Sequence, residues 1–216
     1  MWMGVKPEPG NADYENHFHP AHLISLLNPD FERNYAPAPS SDRKLRAAAV
    51  LIPIIYTRQG WSLVYTRRSD QLQKHRGQVA FPGGSVDAED LTIAETALRE
   101  AWEEIALPKD HVNILGVMDS VESTSGFFVT PVVGWIHTPF EAVANAIEVA
   151  RVFTVPLAWL AEKDHVQFRS FETPWGRQEG VIFFEPYDNE LVWGFTGGVT
   201  LDFLHLAGWI ESIPPS

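Results

Sequence analysis

A chain of 216 residues, at roughly 150 residues per domain, has room for one domain with embellishments, and 45% hydrophobic with 20% charged residues is an ordinary globular composition. Sixteen Lys and Arg against 28 Asp and Glu give a net charge of −12, which excludes a broad basic face for nucleic acid, and the absence of cysteine excludes disulfides, thiolate catalysis and Cys-ligated zinc. No apolar run approaches the roughly 18 residues that span a bilayer, and Met1 to Asn16 lack the pattern of a signal peptide, so no membrane contact and a cytoplasmic location are expected.

Residues 1–44 are rich in Pro, Asn, Asp and Ser and read as an extension, with one short apolar stretch, Leu23 to Leu27, suited to a small helix and a linker at Pro37–Asp42. A single domain is expected over residues 45–212. Leu45 to Tyr56 is an apolar, β-branched segment and Trp61 to Thr66 a second, with a hairpin turn at Thr57–Gly60 between them. Gln78 to Phe81 is a short strand that ends at Pro82-Gly83-Gly84. Residues 92–106 form the strongest helix of the chain. Val112 to Val117, Val129 to Ile136, Val166 to Phe171 and Val181 to Tyr187 are strand candidates, and a last helix runs from Thr200 to Ile210. Strands outnumber helices without regular βαβ alternation, which predicts an α+β domain on a mixed sheet. Eight Trp, 13 Phe and five Tyr supply its core.

The helix carries the chemistry. Thr92, followed three residues later by Glu95, fits a capping box. Ala94, Ala97, Leu98, Ala101 and Ile105 recur at helical spacing as the buried stripe, and Pro108 closes the segment. Glu100, Glu103 and Glu104 lie within an arc of about 100° beside that stripe. Arg99 precedes Glu103 by four residues, a favourable pair, whereas Glu100 and Glu104 repel mildly at the same spacing, with no Lys or Arg one turn away to neutralise them. A Glu pair on a helix is usually a solvated face. The alternative is a site for a hard divalent cation, which takes a few carboxylates plus water and substrate phosphate. Gly83 and Gly84, placed just after a strand, would let a metal or ligand approach the backbone closely.

Charge is organised along the chain. Residues 58–78 carry five cationic side chains (Arg58, Arg67, Arg68, Lys74 and Arg76) against one Asp. Residues 84–110 carry eight acidic ones (Asp87, Glu89, Asp90, Glu95, Glu100, Glu103, Glu104 and Asp110) against Arg99 and Lys109. A cationic segment leading into an acidic one suits a polyphosphate bridged by metal. Arg67 and Arg68 are neighbours on a strand and point to opposite faces, so one of them reaches substrate.

Gly84, then Arg99-Glu100-Ala101-Trp102-Glu103-Glu104-Ile105-Ala106-Leu107, resembles the Nudix box, G-x5-E-x7-R-E-U-x-E-E-x-G-U with U apolar. Asp90 stands where the box has its first Glu, the gap from there to Arg99 is one residue longer, and Ala106 replaces the late Gly. Tyr65-Thr66-Arg67-Arg68-Ser69 and Gly77-Gln-Val79-Ala-Phe81-Pro82-Gly83-Gly84 resemble the further signature of coenzyme A diphosphatases, LLTxRS-x3-R-x3-G-x-V-x-F-P-G-G, with Val64-Tyr65 for the leading Leu-Leu and Gln73 for the later Arg. Ser125 to Gly134 and Trp193 to Thr196 are similar to that subfamily as well, so the likeness covers about residues 45–207.

The resemblance implies a Nudix α/β/α sandwich that hydrolyses the diphosphate of coenzyme A or a derivative to adenosine 3′,5′-bisphosphate and 4′-phosphopantetheine. It implies Mg²⁺ or Mn²⁺ held by Glu100 and Glu104 with help from Glu103 and the Gly83 carbonyl, and Arg99 orienting the carboxylates. Glu148, in a region where such enzymes carry an extra Glu, is a metal ligand or base, and the general base is Glu104 or Glu148. By motif position Arg68 contacts the substrate phosphates before Arg67, with Lys74, Arg76 and Ser69 as further substrate-binding candidates. The partner is a small molecule, and homodimers are common in the family. Two other readings stay open: a Nudix hydrolase of another nucleoside diphosphate (ADP-ribose, NADH or a dinucleoside polyphosphate) and a non-catalytic Nudix-fold ligand sensor.

Three other groupings carry less. His17, His19 and His22 sit in a Pro-rich stretch without Cys and read as solvated. His75, inside the phosphate-side signature, is a donor to substrate or a structural residue. Ser123, Thr124 and Ser125 have no His-Asp pair at recognisable spacing and read as turn residues.

Overall fold

The computed structural model of the protein describes residues 2–3, 18–30, 45–72, 75–173 and 176–211. In chain order the elements are β1 (Trp2–Met3), β2 (Arg46–Thr57), β3 (Gly60–Arg68), β4 (Val79–Ala80), β5 (Gly83–Ser85), α1 (Ile93–Ile105), β6 (Val112–Val117), β7 (Val121–Glu122), β8 (Phe127–Ile136), β9 (Phe140–Glu141), β10 (Val149–Pro156), α2 (Leu157–Leu160), β11 (Val166–Thr173), β12 (Gly176–Phe184) and α3 (Gly194–Leu206). The main sheet runs β10-β3-β2-β8-β6, with β4 beside β3, β5 beside β2 and β7 beside β8. Only β2 and β8 are parallel within it, so the sheet is mixed. β11 and β12 form a separate hairpin.

Strand β2 is apolar on both faces because it lies in the middle. Ala49, Leu51 and Ile55 point to the face covered by α1, where Ala94, Ala97, Ala101 and Ile105 meet them. Ile52 and Ile54 point to the other face, where Val199, Phe203 and Leu204 of α3 close the core. Strand periodicity thus splits one apolar run between two cores, and the architecture is the predicted α+β sandwich. Pro53 is tolerated in this central strand because β2 changes partner there: residues 48–50 pair with β5 and residues 54–57 with β3.

The N-terminal side of the chain is less separate than its composition suggests. Pro20–Ser25 form a 3₁₀ turn, and Phe18, Leu23 and Leu27 enter the core beneath α3. Asn28 pairs with Val117 at the end of β6. The linker expected at Pro37–Asp42 and His17 lie outside the described residues.

Three elements differ from the sequence expectation. The Gly83-Gly84 turn is strand β5, hydrogen-bonded to β2. The strand expected at Val181 to Tyr187 is β12, which runs from Gly176 to Phe184 as the second arm of the hairpin with β11. The last helix begins at Gly194 and ends at Leu206, where Thr200 to Ile210 was expected. Gly194, Gly197 and Gly198 lower its intrinsic propensity, and packing decides instead: a Cβ on Gly197 would stand 3.1 Å from the Ile182 carbonyl oxygen. Tyr65, fully buried, bonds Thr200 of this helix through its hydroxyl at 3.0 Å.

Candidate active site

Helix α1 starts where the capping pattern puts it. The Glu95 N–H donates to Thr92 Oγ1 at 3.1 Å, but the Glu95 carboxylate reaches past Thr92 to the Leu91 N–H at 2.7 Å. The last turn closes on Ala106, which adopts the left-handed conformation (φ 54, ψ 34) and sends its N–H back to the Trp102 carbonyl. Left-handed backbone is where a glycine is easiest, which accounts for the Gly that the Nudix box carries at this position.

Glu104 is the centre of the site. It projects from the inner side of α1 with its side chain 4% exposed, and its Oε2 is buried without a hydrogen-bond partner. Arg68, at the end of β3, brings Nη1 to 3.9 Å from Glu104 Oε1, and its own Nε is likewise buried without a partner. Burial pushes the Glu104 carboxyl up to about 8; the charges of Glu100 and Glu148 push the same way, while Arg68 and a hydrogen bond from the Gly83 backbone pull down.

Glu100 lies one turn earlier against β5. A Cβ on Gly84 would fall 2.4 Å from Glu100 Oε1, so only glycine leaves room for this carboxylate. Burial raises the Glu100 carboxyl too, against its hydrogen bond and charge pairing with Arg99.

The neutralising cation that the helical spacing did not supply is Arg99 itself, the residue preceding Glu100. Its Nη1 donates to Glu100 Oε1 at 2.9 Å and to Glu103 Oε2 at 3.2 Å, and its Nη2 to the Ser85 carbonyl at 3.0 Å. Asp90 takes the rest of the guanidinium. Asp90 also accepts from Thr96 Oγ1 at 2.9 Å and from the Asp87 N–H at 2.8 Å. Burial by itself would raise the Asp90 carboxyl; the bonds from Arg99, Asp87 and Thr96 outweigh it and hold the group at about 2.

Glu148 joins from a loop, its carbonyl accepting from the Ser69 N–H at 2.8 Å. Its charge acts on both Glu100 and Glu104. Among the described residues no three carboxylate or imidazole side chains form a ready-made cage: Glu103 is half exposed and turned to Arg99. The fit to a hard divalent cation rests on Glu104, whose buried oxygen lacks a partner, with Glu100 one turn away on the same helix.

The remaining candidates divide. Arg67 points to the opposite face from Arg68, toward Asp70 (3.5 Å) and Glu190 (3.8 Å). Arg151 also binds Glu190 and, at Asp188, both the carboxylate and the backbone carbonyl. The Arg76 guanidinium is turned onto the Leu72 carbonyl. Ser69 is buried, its Oγ accepting from the Gln71 N–H. His75 bonds the Gln78 side chain at 2.8 Å. Lys74 and Gln73 lie outside the described residues. Val64 and Tyr65, which replace Leu-Leu in the signature, are both fully buried in the core, so that departure concerns packing.

Sequence reasoning passed over Asp90 as a site residue: it appeared only as a departure from the motif and as one of the carboxylates of residues 84–110.

A buried Glu beside an Arg, on a helix facing a Gly-Gly strand, is a grouping suited to phosphate chemistry. Residues 45–172 match the NUDIX domain family, and the chain belongs to it. It is 40% identical over 169 residues to an uncharacterized Nudix hydrolase, NudL, of Pectobacterium atrosepticum (78% of this chain, 86% of the relative). A NudL of Yersinia pestis, also uncharacterized, is 40% identical over 157 residues (71% and 76%). The solved structure of a Nudix hydrolase from M. smegmatis is similar at 23% identity and a TM-score of 0.46, over 54% of this chain and 74% of that one. The protein is a Nudix hydrolase.

Proposed function

We propose that the enzyme hydrolyses the diphosphate bond of coenzyme A or a derivative, releasing adenosine 3′,5′-bisphosphate and 4′-phosphopantetheine or its acyl form. The observation that carries the hydrolytic part is the Glu104–Arg68 pair, each with a buried polar atom lacking a partner, beside the Gly83–Gly84 strand. The coenzyme A part is supported by the signature residues Thr66 to Ser69 and Gly77 to Gly84.

Glu100 and Glu104, with Glu103 and the Gly83 carbonyl, would hold Mg²⁺ or Mn²⁺. Bound there, such a cation would neutralise phosphate charge and make water more acidic. Arg68 presents a guanidinium to the diphosphate from the α1 side of β3, and Lys74 and Arg76 are further substrate-binding candidates. Arg99 keeps Glu100 and Glu103 turned toward one another. Glu104 or Glu148 accepts the proton of the attacking water. Burial raises the Glu104 carboxyl, which makes its ionised form the stronger proton acceptor. A second reading, a Nudix hydrolase of ADP-ribose, NADH or a dinucleoside polyphosphate, is favoured by Gln73, which stands where the coenzyme A signature has Arg.

Product analysis by mass spectrometry tests both. Coenzyme A, ADP-ribose, NADH and a diadenosine polyphosphate are incubated with purified protein, with and without Mg²⁺ or Mn²⁺. Metal-dependent 4′-phosphopantetheine formed faster than any other product supports the first reading; cleavage of another substrate alone retires it in favour of the second. Glu104→Gln should abolish turnover while the fold is retained, and unchanged turnover would remove Glu104 from the mechanism.

A further inference from the structure

We propose that Asn145 is the positioning residue that sets Glu148 against Glu104, an inference that rests on the reading of Glu148 as a participant in the reaction. Glu104 belongs to a rigid helix and Glu148 to a loop with no regular structure before β10, so something must fix their separation. Asn145 stands between them. Its N–H donates to the backbone carbonyl of Glu104 at 2.9 Å. Its own carbonyl accepts from the N–H of Glu148 at 2.9 Å and of Val149 at 2.8 Å. Its side-chain Oδ1 accepts from the Ile147 N–H at 3.3 Å.

The anchorage uses groups that a helix end leaves open, because the last carbonyls of an α-helix have no intrahelical donor. The Val143 N–H takes the Ile105 carbonyl at 3.1 Å, so the loop is pinned to α1 at two successive residues. Beyond the turn, Glu148 accepts from Ser69 through its carbonyl, and Val149 opens β10 opposite Arg68. One residue therefore links the helix of Glu104, the amide of Glu148 and the strand partner of Arg68. Glu148 is close enough for its charge to act on Glu100 and Glu104. The backbone bonds would survive any side chain. The bond from Oδ1 to Ile147 requires an Asx-type acceptor, which makes the turn specific to this residue.

The test compares Asn145→Ala, Asn145→Ser, Glu148→Gln and the Asn145→Ala/Glu148→Gln double variant of the full chain, on whichever diphosphate the wild type cleaves, with Mg²⁺. Loss of a supporting hydrogen bond at a reacting group costs on the order of tenfold. Asn145→Ala should lower kcat by about that factor with KM within about twofold, and Asn145→Ser, whose hydroxyl closes a similar turn, should recover most of it. In the Glu148→Gln background the Ala substitution should add nothing, since residues acting through one another are not additive. Hydrogen exchange should show faster exchange at the Ile147 and Glu148 amides in Asn145→Ala, whatever the substrate. Unchanged kcat, a full additional drop in the double variant, or a loss that Ser does not rescue would each overturn the proposal. Unchanged turnover in Glu148→Gln would overturn it too, while leaving the hydrolase reading intact. If the wild type cleaves no diphosphate, that reading fails instead, and unaltered amide protection would then overturn the positioning role by itself.

Discussion

Arg99 and Asp90 meet side-on, Nε on Oδ1 and Nη2 on Oδ2, both at 3.0 Å. This pair explains the two departures that the Nudix box shows ahead of its Arg-Glu core. Asp is one methylene shorter than the Glu of the family pattern, and the spacing to Arg99 is one residue longer. The carboxylate still arrives in bidentate geometry, the strongest form of such a pair. Asp90→Asn should lower stability by about 2 kcal/mol in urea unfolding, because the Arg99 guanidinium and Thr96 hydroxyl keep their burial and lose a charged partner. Turnover should fall as well, since Arg99 also holds Glu100 and Glu103.

The same pair makes an acid prediction. The Asp90 carboxyl titrates at about 2 in the folded protein, below its ordinary value of 3.8. A lowered pKa contributes stability above the unfolded value and loses it as pH falls through the folded one. About 1–2 kcal/mol should therefore disappear between pH 4 and pH 2, and Asp90→Asn should be flatter over that window. Urea midpoints measured at intervals across it check the sign.

Gly83 and Gly84 are adjacent and should answer differently to alanine. At Gly83 a Cβ would stand 2.4 Å from the Ala49 carbonyl oxygen and 2.7 Å from Val50 Cα, both backbone atoms of the central strand. Gly83→Ala should cost about 2–3 kcal/mol of stability, the range of overpacking a rigid core. At Gly84 the obstruction is the flexible end of Glu100, which can swing away. Gly84→Ala should leave Tm within a few degrees and cut turnover by about a hundredfold, as expected for a displaced reacting group.

Arg67→Ala and Arg68→Ala separate the two faces of β3. Arg68 faces Glu104, and its loss should lower kcat/KM by roughly 10- to 100-fold, the scale of one charge-assisted phosphate contact. Arg67 contacts Asp70 and Glu190 at 3.5 and 3.8 Å on the other face, partly exposed. Its removal should change stability by less than about 1 kcal/mol and kcat/KM by less than about threefold. Steady-state kinetics of both variants decides the assignment.

Ala106→Gly should stabilise the enzyme. A non-glycine residue in the left-handed region costs about 1–2 kcal/mol, part of which the greater freedom of glycine in the unfolded chain cancels. A net gain of about 0.5–1 kcal/mol, or a rise of about 2–3 °C in Tm, is the expected calorimetric result.

Much of this molecule follows from local pattern. Helix α1 is written in its Thr92 cap, its Ala stripe and its charged side, and the strands β2, β3, β6 and β8 in their runs of apolar and β-branched residues, because period and capping are properties of neighbours in the chain. The acidic set Glu100, Glu103 and Glu104 could be named from the same few residues. Elements with weak local preference were decided elsewhere. Gly83–Ser85 is a strand only because β2 offers it a partner, and Gly194 to Gly198 is helical only because the hairpin β11–β12 and the core bury it.

The site divides in the same way. The residue types for phosphate chemistry stand in the sequence, but their electrical state does not: Glu104 is raised because the sheet buries it, and Asp90 is lowered because Arg99 folds back onto it. The placing of Arg68 opposite Glu104, and of Asn145 between Glu104 and Glu148, joins residues far apart in the chain. Burial and approach across a sheet are set by tertiary packing, and a pKa or a hydrogen bond depends on that surrounding rather than on the identity of the residue alone.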